Sequence, residues 1–442
     1  MKEFYKLCLT ICVITNLSGC VASQTLPDSN IVKEIINSEV FKHNHTGFAL
    51  FDIEKQNTIA QYQADKYFIP ASNTKLFTFY AGLCVLGDSI PAFKYQISND
   101  TLFFTGTGDP SLLHPDLPAS NVLNFLRNWK GKLVYCERIN NENISRKYGL
   151  GWAWDDYNEY YQPEISPLPV YGNIVRFGFS KSNKLFSVSP KIFTDSIQIV
   201  GVGKLEYFRK EHQNIFEVYR SIAENKDVEQ DVPYITSTQL AVKLLTDSLQ
   251  REIGISFRDN RNLPKIHYSI PADSIYKTML QQSDNMLAEQ TMMLCDAVKD
   301  SSNAQISTES GINFAKTKFL TDLPDEPIWV DGSGMSRHNL FTPRSIVKLL
   351  QKIHAKTNQE RLFSLLAIGG KTGTIRNMFK GEEPYIFAKS GSLANNYNLS
   401  GYVKTKSGKI LAFSFMNNNF MSSTSEIRKE VERIINLVHE KY

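Results

Sequence analysis

Apolar residues at both ends of the chain follow patterns that predict a helix beside a β-hairpin. The apolar positions between Ile31 and Phe41 fall at helical spacing, and two β-prone runs at 48–53 and 58–62 follow them across a polar turn. Near the C-terminus, β-prone runs at 399–405 and 409–416 precede an amphipathic terminal helix. Burying these faces together predicts one antiparallel sheet built from both chain ends, with helices packed on it. The expected fold class is therefore α/β, of the α+β kind.

The middle of the chain carries a different pattern. Residues 93–235 contain short β-prone runs, such as 102–105 and 184–188, separated by turn signals. This pattern predicts one or two inserted β-rich modules. The expected division is a leader at 1–19, a discontinuous main domain at 20–92 and 236–442, and an insertion at 93–235.

Composition excludes several classes of protein. The chain has 442 residues, of which 42% are hydrophobic and 21% charged, and its formal net charge is +4. This is ordinary globular composition for a chain long enough to bury more than one core. Without a clustered basic face, nucleic acid is not an expected partner.

The first residues predict export. A basic start precedes a short apolar run at 7–14, which is too short to span a bilayer and is typical of an export signal. Leu17-Ser18-Gly19-Cys20 resembles the lipobox of bacterial lipoproteins, in which the signal is removed before a lipidated cysteine. This implies lipidation of Cys20, attachment to a membrane through the lipid, and a place on the periplasmic side of the cell envelope. The alternative is a plain secretory signal cleaved near Ala22-Ser23.

The remaining cysteines do not indicate a disulfide framework or a metal site. Of six cysteines, Cys8, Cys12 and Cys20 belong to the export signal, and the other three, Cys84, Cys136 and Cys295, show no spacing typical of metal ligands. We expect them to be small buried residues. Neither a metal nor an organic cofactor is predicted.

Candidate chemistry begins at Ser72-Asn73-Thr74-Lys75, which opens a segment that is apolar on nearly every face up to Leu86. Three residues are just under one helical turn, so the Ser72 hydroxyl and the Lys75 amine project on the same side. A desolvated lysine can accept the hydroxyl proton and activate the serine for attack on a carbonyl. The alternative is an N-cap serine beside a solvated lysine.

Two further motifs strengthen this interpretation. Ser283-Asp284-Asn285 and Lys389-Ser390-Gly391 follow in the chain, and S-x-x-K, S-D-N and K-T-G in this order are the signature of penicillin-binding proteins and class A β-lactamases. Ser283 can relay a proton between Lys75 and the leaving amine, and Asn285 can hydrogen-bond the substrate amide. Taken alone, the second motif would be a turn or capping cluster.

A literal Lys371-Thr372-Gly373 competes with Lys389-Ser390-Gly391 for the third position. The third motif must lie on a core strand at the cleft, and only Lys389 ends a β-prone run. We therefore expect Lys389 to hold an anionic carboxylate and Ser390 to add a hydroxyl. Gly391 would let the substrate backbone approach the strand, and the Ser392 N–H would complete the oxyanion hole with that of Ser72.

With these motifs, the chain resembles the D-alanyl-D-alanine carboxypeptidase/endopeptidase branch of the class C penicillin-binding proteins. Four linking segments resemble the family in its own order: 104–112, 151–156, 331–337 and 373–379. The resemblance implies that Ser72 is acylated, that Lys75 is its base, and that Ser283, Asn285 and Lys389 complete the set. The serine at 390, where threonine is usual, keeps the hydroxyl.

The same resemblance implies that Arg337 and Asp156 contact the peptide stem, with Tyr161 packed beside them. The alternatives are that Asp156 caps a turn and that Arg337 makes a surface ion pair. The long separation of Ser72 from Ser283 favours this branch over the compact β-lactamases.

The sequence thus predicts a serine peptidase of the cell envelope that cleaves the D-Ala-D-Ala bond of peptidoglycan stem peptides, and D-amino-acid cross-links, through an acyl-enzyme. β-Lactams are the expected inhibitors. Two alternatives remain open: a catalytically silent peptidoglycan-binding lipoprotein, and an esterase or β-lactamase-like hydrolase.

Overall fold

The computed structural model describes residues 29–138, 146–220, 226–259, 261–299 and 306–442. The predicted leader and Cys20 lie outside these residues. Among the helices of the described ranges, none is both long and apolar enough to cross a membrane.

Strands and helices alternate irregularly along the described residues. The strands are β1 (His45–Asp52), β2 (Asn57–Tyr62), β3 (Ser89–Ser98), β4 (Thr101–Gly106), β5 (Lys132–Cys136), β6 (Ile174–Ser180), β7 (Leu185–Ser189), β8 (Ile197–Val202), β9 (Glu206–Arg209), β10 (Phe216–Arg220), β11 (Val228–Pro233), β12 (Gly254–Ser256), β13 (Lys265–Pro271), β14 (Ala367–Ile368), β15 (Ile386–Leu393), β16 (Asn396–Lys404) and β17 (Ile410–Asn418). The α-helices are α1 (Ser29–Ile36), α2 (Lys75–Val85), α3 (Val122–Asn128), α4 (Thr238–Leu249), α5 (Ala272–Gln281), α6 (Asn285–Lys299), α7 (Thr308–Phe319), α8 (Pro343–Lys356), α9 (Gln359–Leu365) and α10 (Thr424–Lys441).

One six-stranded sheet joins the two ends of the chain, in the order β14-β15-β16-β17-β1-β2. β1 pairs antiparallel with β17, so that Phe48 lies opposite Phe415. The predicted antiparallel sheet and both predicted hairpins are therefore confirmed. The first helix is shorter than the spacing predicted, because the chain turns after Ile36 and places Phe41 edge-on against Phe415.

Alternation along the strands separates two cores, one on each face of this sheet. On β17, Phe413 and Phe415 face α1 and α10, whereas Ala412 and Met416 face the helices α2 and α5 to α9. α2 is buried on nearly all sides, as its apolar sequence predicts. The sheet is thus covered by helices on both faces, and α2 presents its N-terminal end at the edge of β15.

A third core lies in the β-rich part of the chain. It contains a five-stranded sheet, β12-β5-β4-β3-β13, and two three-stranded sheets. β13 pairs with β3, and the apolar face of α4 packs into this core rather than into those of the main sheet. The sequence pattern could not assign α4 to one of these cores, because a helix with one apolar face can pack into either the core of the β-rich part or a core of the main sheet. We therefore propose that the insertion runs from about 89 to 271, instead of the predicted 93–235.

The three cysteines after the leader are free thiols. Cys136 and Cys295 are buried, as predicted, whereas Cys84 is only half-buried at the C-terminal end of α2.

Candidate active site

Ser72 lies on a 3₁₀ turn, Ala71–Thr74, that leads directly into α2. Ala71 has a φ of 48°, a left-handed conformation that alanine rarely adopts, at the point where the chain enters this turn. The side chain of Asn73 donates to Ser400 Oγ on β16 at 2.9 Å and ties the turn to the sheet. The turn is thus held from the sheet side while Ser72 lines the cleft.

Lys75 is fully buried, and its amine donates to three oxygen atoms. Nζ donates to Ser72 Oγ at 2.9 Å, to Asn285 Oδ1 at 2.7 Å and to the Ser333 carbonyl at 2.7 Å. Burial lowers the pKa of Lys75 from 10.5 to about 8, although the carboxylate of Asp331 opposes this shift. Near neutral pH a useful fraction of this amine is therefore unprotonated and able to accept the Ser72 proton.

Two buried carboxylates hold the loop that supplies the Ser333 carbonyl. Glu289 on α6 accepts from the Gly332 and Ser333 N–H groups at 3.0 and 2.8 Å. Asp331 accepts from the Gly334 and Ser336 N–H groups at 2.8 and 2.7 Å. The backbone N–H groups of the loop therefore hold it in place by donating to these two acids. This explains why the 331–337 segment contains an acid followed by small residues.

Ser283 lies between α5 and α6 with a φ of 65°, in the left-handed region. Such a conformation costs on the order of 1–3 kcal/mol in a residue other than glycine. Its hydroxyl accepts from Lys389 Nζ at 2.9 Å. The structure therefore brings Ser283 to Lys389, whereas the hydrogen bonds of Lys75 go to Ser72, Asn285 and Ser333.

Asn285 joins the two walls of the cleft. Its Oδ1 accepts from Lys75, and its Nδ2 donates to the Tyr161 carbonyl at 2.9 Å. Burial, and then the neighbouring carboxylate of Asp156, raise the pKa of Tyr161. Asp156 and Tyr161 thus lie together, as predicted, on the wall formed by the insertion.

Lys389 lies on β15, beside the turn that carries Ser72, and is fully buried. Burial, and then the positive charge of Lys75, lower the pKa of Lys389 well below its ordinary value. A Cβ at Gly391 would lie 2.7 Å from the Pro70 carbonyl oxygen and 2.8 Å from the Ser72 backbone nitrogen. Only glycine lets β15 approach the turn this closely.

The competing Lys371 is exposed on the loop after β14, whereas Lys389 donates to Ser283 at the wall of the cleft. The same loop nevertheless reaches the site, because Thr374 Oγ1 accepts from Ser390 Oγ at 2.6 Å.

Ser72, Ser283, Asn285, Ser390 and Thr374 line one cleft of about 1250 Å³, and the amines of Lys75 and Lys389 lie buried behind them, in hydrogen-bond contact with Ser72 and Ser283. Ser392 and Arg337 also line it, and an Arg337 guanidinium nitrogen donates to the Ala394 carbonyl at 3.1 Å. No cluster of His, Cys, Asp or Glu suited to a metal ion occurs within the described ranges. The arrangement offers a nucleophile, a buried amine, a second buried amine and backbone donors, which are the groups needed for acyl transfer.

Sequence reasoning missed several residues that shape the site. Thr374, Glu289, Asp331 and the carbonyls of Ser333 and Tyr161 were not predicted, although 331–337 and 373–379 had been singled out. Backbone carbonyls carry no side-chain signal. A buried acid at one turn from Asn285 on an otherwise apolar helix face was the signal that could have identified Glu289.

Comparison with known proteins agrees with this arrangement. Residues 29–440 match the model of the D-Ala-D-Ala carboxypeptidase 3 (S13) family. The chain is 23% identical to the D-alanyl-D-alanine carboxypeptidase DacB of Haemophilus influenzae, over 92% of this chain and 91% of that protein. It is 25% identical to a D-alanyl-D-alanine carboxypeptidase of an Actinomadura species, over 84% of this chain and 77% of that protein.

Among solved structures, penicillin binding protein 4 of Haemophilus influenzae superposes with a TM-score of 0.70 at 21% identity. The superposition covers 93% of this chain and 99% of the other. The two chains therefore share a fold along nearly their whole length.

Proposed function

Because the chain belongs to the D-Ala-D-Ala carboxypeptidase 3 (S13) family, we propose that it is a serine-type D-Ala-D-Ala carboxypeptidase that acts on peptidoglycan stem peptides and is acylated by penicillin. The observation that carries this proposal is the contact between Lys75 Nζ and Ser72 Oγ at 2.9 Å, in a place where burial lowers the pKa of the amine to about 8. An activated serine opposite a second buried amine suits a substrate that ends in a carboxylate.

In the acylation step, Ser72 Oγ attacks the carbonyl carbon of the penultimate D-Ala while its proton passes to the neutral amine of Lys75. The backbone N–H groups of Ser72 and Ser392 receive the negative charge that develops on the carbonyl oxygen. The C–N bond then breaks, and Ser283 relays the proton held by Lys75 to the leaving amine, so that Lys75 is neutral again. Water hydrolyses the ester, with Lys75 again as the base.

The binding roles follow from position in the cleft. Lys389 and the hydroxyl of Ser390 bind the terminal carboxylate of the substrate, and Asn285 bonds its amide. Gly391 leaves room for the substrate backbone along β15. Arg337 and Asp156 contact the stem further from the scissile bond, with Tyr161 beside them.

Mass spectrometry of the intact protein after treatment with penicillin tests this function. We expect a long-lived penicilloyl adduct on the natural protein and on a Ser187→Ala control, and none on Ser72→Ala. The natural protein should also release D-Ala from a pentapeptide ending in D-Ala-D-Ala. Absence of both adduct and release would favour a silent binding protein. Rapid loss of the adduct would favour a β-lactamase-like hydrolase.

Cleavage of D-amino-acid cross-links is a second candidate activity. The volume of about 1250 Å³ exceeds that of a typical small-molecule site, roughly 300–1000 Å³, and leaves room for a leaving group longer than one D-Ala. Digestion of purified cross-linked muropeptides tests this activity. Monomeric products support it, and intact dimers beside trimmed pentapeptides contradict it.

We also propose that Cys20 carries a lipid that attaches the protein to a membrane of the cell envelope. The support is the sequence Leu17-Ser18-Gly19-Cys20 after a short apolar run. Cys20→Ser should move the protein from the membrane fraction to the soluble fraction, and an unchanged distribution would contradict the anchor.

A further inference from the structure

A second cavity of about 520 Å³ lies beside the catalytic cleft, and Ala153 lines both. Four aromatic side chains form much of its wall: Tyr148, Trp152, Trp154 and Tyr157. Trp154 is 74% exposed, although a tryptophan of a globular protein is usually well buried. None of the roles proposed above uses this cavity.

Two rings of the aromatic wall, Trp152 and Tyr157, are held in place. Trp152 Nε1 donates to Asp331 Oδ2 at 2.9 Å, so the ring is fixed to the loop that supports Lys75. The Arg209 guanidinium lies 5.0 Å from the centre of the Tyr157 ring and donates to the backbone carbonyls of Pro233 and Lys210. A rigid aromatic surface can bind a ligand without the entropic cost of ordering it.

The cavity also contains a buried acceptor that lacks a donor. Gln162 lines the cavity and is only 1% exposed; its Nε2 donates to the Ala153 carbonyl, but Oε1 has no hydrogen-bond partner among the described residues. An unpaired buried acceptor costs about 1–3 kcal/mol, which a ligand with an N–H or O–H donor would recover.

Charge around the cavity is balanced. Glu164, which lines it, is paired with Lys147 at 2.9 Å, and the lining residues Arg209 and Glu211 carry opposite charges. An ionic ligand would therefore find no net charge to pair with. Flat aromatic faces with polar groups at their edges suit a ligand that also has an apolar face and polar edges. A sugar ring has this character, because its C–H face packs on aromatic rings and its hydroxyl and acetamide groups form hydrogen bonds at the edges.

We propose that this cavity binds an uncharged N-acetylated amino sugar of the peptidoglycan glycan strand, with the sugar packed on Trp154 and a donor of the sugar bonded to Gln162 Oε1. The inference rests on the proposed function, because the stem peptide is attached to such a sugar at its amino end. A stem whose carboxylate lies at Lys389 would extend along β15 toward Arg337, which donates to the Ala394 carbonyl just after that strand. Ala153 lines both this cleft and the cavity. The enzyme would then distinguish a stem still attached to its glycan from a free peptide.

Two substrates that differ only in the sugar test this proposal: the free pentapeptide and the same pentapeptide linked to its disaccharide. We expect kcat/KM for D-Ala release to be about tenfold higher with the disaccharide, mainly through KM. Trp154→Ala should remove this preference and leave turnover of the free peptide unchanged. Trp154→Phe should keep most of it, and Phe257→Ala, which removes another exposed aromatic ring, should keep all of it.

Direct binding provides the second measurement. Titration of full-length Ser72→Ala with the disaccharide alone, followed by calorimetry, should give saturable binding that is lost when Trp154→Ala is added. Equal turnover of both substrates by the natural protein, or a preference that survives Trp154→Ala, would overturn the proposal. Failure of the peptidase function is distinguishable, because neither substrate would then release D-Ala.

Discussion

At the scale of single residues, the amine of Lys75 has to be neutral to accept a proton and yet lies among groups that favour its charged form. Desolvation lowers its pKa, and the carboxylates of Asp331 and Asp284 raise it again. The resulting value of about 8 lies close to physiological pH, where a general base is most effective. The balance between burial and these acids therefore sets the pH at which Ser72 reacts.

This balance predicts the pH dependence of acylation. Because only the neutral form of Lys75 accepts the proton, the rate of acylation by a chromogenic β-lactam should increase as the pH increases through about 8 and then level off. Below that pH the rate should fall about tenfold per pH unit. Stopped-flow measurement between pH 6 and pH 10 checks this. A flat profile in the natural protein, or normal acylation of Lys75→Met, would contradict the assignment of the base.

The close approach of Gly391 to the turn of Ser72 makes a second prediction. In Gly391→Ala, a Cβ would lie 2.8 Å from the Ser72 nitrogen, so that β15 or the turn must shift. We expect acylation to slow by about 10²-fold, because a misplacement on the order of 1 Å can cost this much. Gly254→Ala is the matched control, since its Cβ meets only ordinary contacts at 3.5 Å or more. Equal rates in the two variants would show that this approach is unimportant.

At the scale of elements, α6 contributes more than the Asn285 at its N-terminus. One turn further along, Glu289 accepts two backbone N–H groups of the loop whose Ser333 carbonyl bonds Lys75. Burial, and then the charge of Asp331, raise the pKa of Glu289 to about 8, so this acid is only partly ionised at neutral pH. The helix thus fixes both the position and the charge environment of the base.

Glu289→Gln should separate these two effects. The amide keeps one acceptor but turns its NH₂ group toward a backbone N–H, which should lower the free energy of unfolding by about 1–3 kcal/mol. Loss of the negative charge removes a group that raises the pKa of Lys75, so the midpoint of the acylation profile should move to lower pH. Chemical denaturation and the pH profile measure the two changes, and Glu382→Gln on an exposed loop is the control. An unchanged midpoint would mean that Glu289 does not act on Lys75 through its charge.

The elements also explain what the sequence could predict. Ser72 and Lys75 lie three residues apart at the start of an apolar helix, so local periodicity brings them together without knowledge of the fold. Ser283 and Lys389 were predicted from the order of three motifs along the chain and from the β-prone run that precedes Lys389. Their mutual hydrogen bond was not foreseen, because it depends on how the α5–α6 turn meets β15. The same holds for Thr374, which reaches Ser390 only because the loop after β14 folds back on the sheet.

At the scale of the whole molecule, periodicity predicted the hairpins at both chain ends and hence the main sheet. Periodicity does not fix the far limit of the insertion, which we propose lies near 271, because α4 has a single apolar face that either core could bury. β13 pairs with β3, although the two strands lie at opposite ends of the proposed insertion in the sequence. Such a long-range contact leaves no local signal in the sequence. The C-terminal boundary of the insertion therefore depends on how α4 and β13 pack and not on any local sequence pattern.

The two parts of the molecule are joined by a buried amide of α6. Gln290 Nε2 donates to the carbonyls of Gly108 and Ser166 at 2.7 and 2.8 Å, and its Oε1 accepts from the Ser166 N–H at 3.2 Å. Both partners belong to the insertion, and Ser166 follows the segment that places Tyr161 in the cleft. α6 thereby fixes the wall that carries Asp156 and Tyr161, the residues proposed to lie beside the stem peptide.

Gln290→Met keeps the size of the side chain and removes all three hydrogen bonds. Leaving these buried groups unpaired should lower the free energy of unfolding by about 3 kcal/mol. Because we propose that the stem peptide contacts both walls, whereas a small β-lactam reacts mainly at Ser72, kcat/KM for the peptide should fall about tenfold more than the acylation rate. Gln281→Met is the control: its Nε2 bonds only Ser364 and Leu366 of the main domain, so both activities should change by the same factor. If Gln290→Met also changed both equally, the insertion would support the fold of the cleft without positioning the substrate.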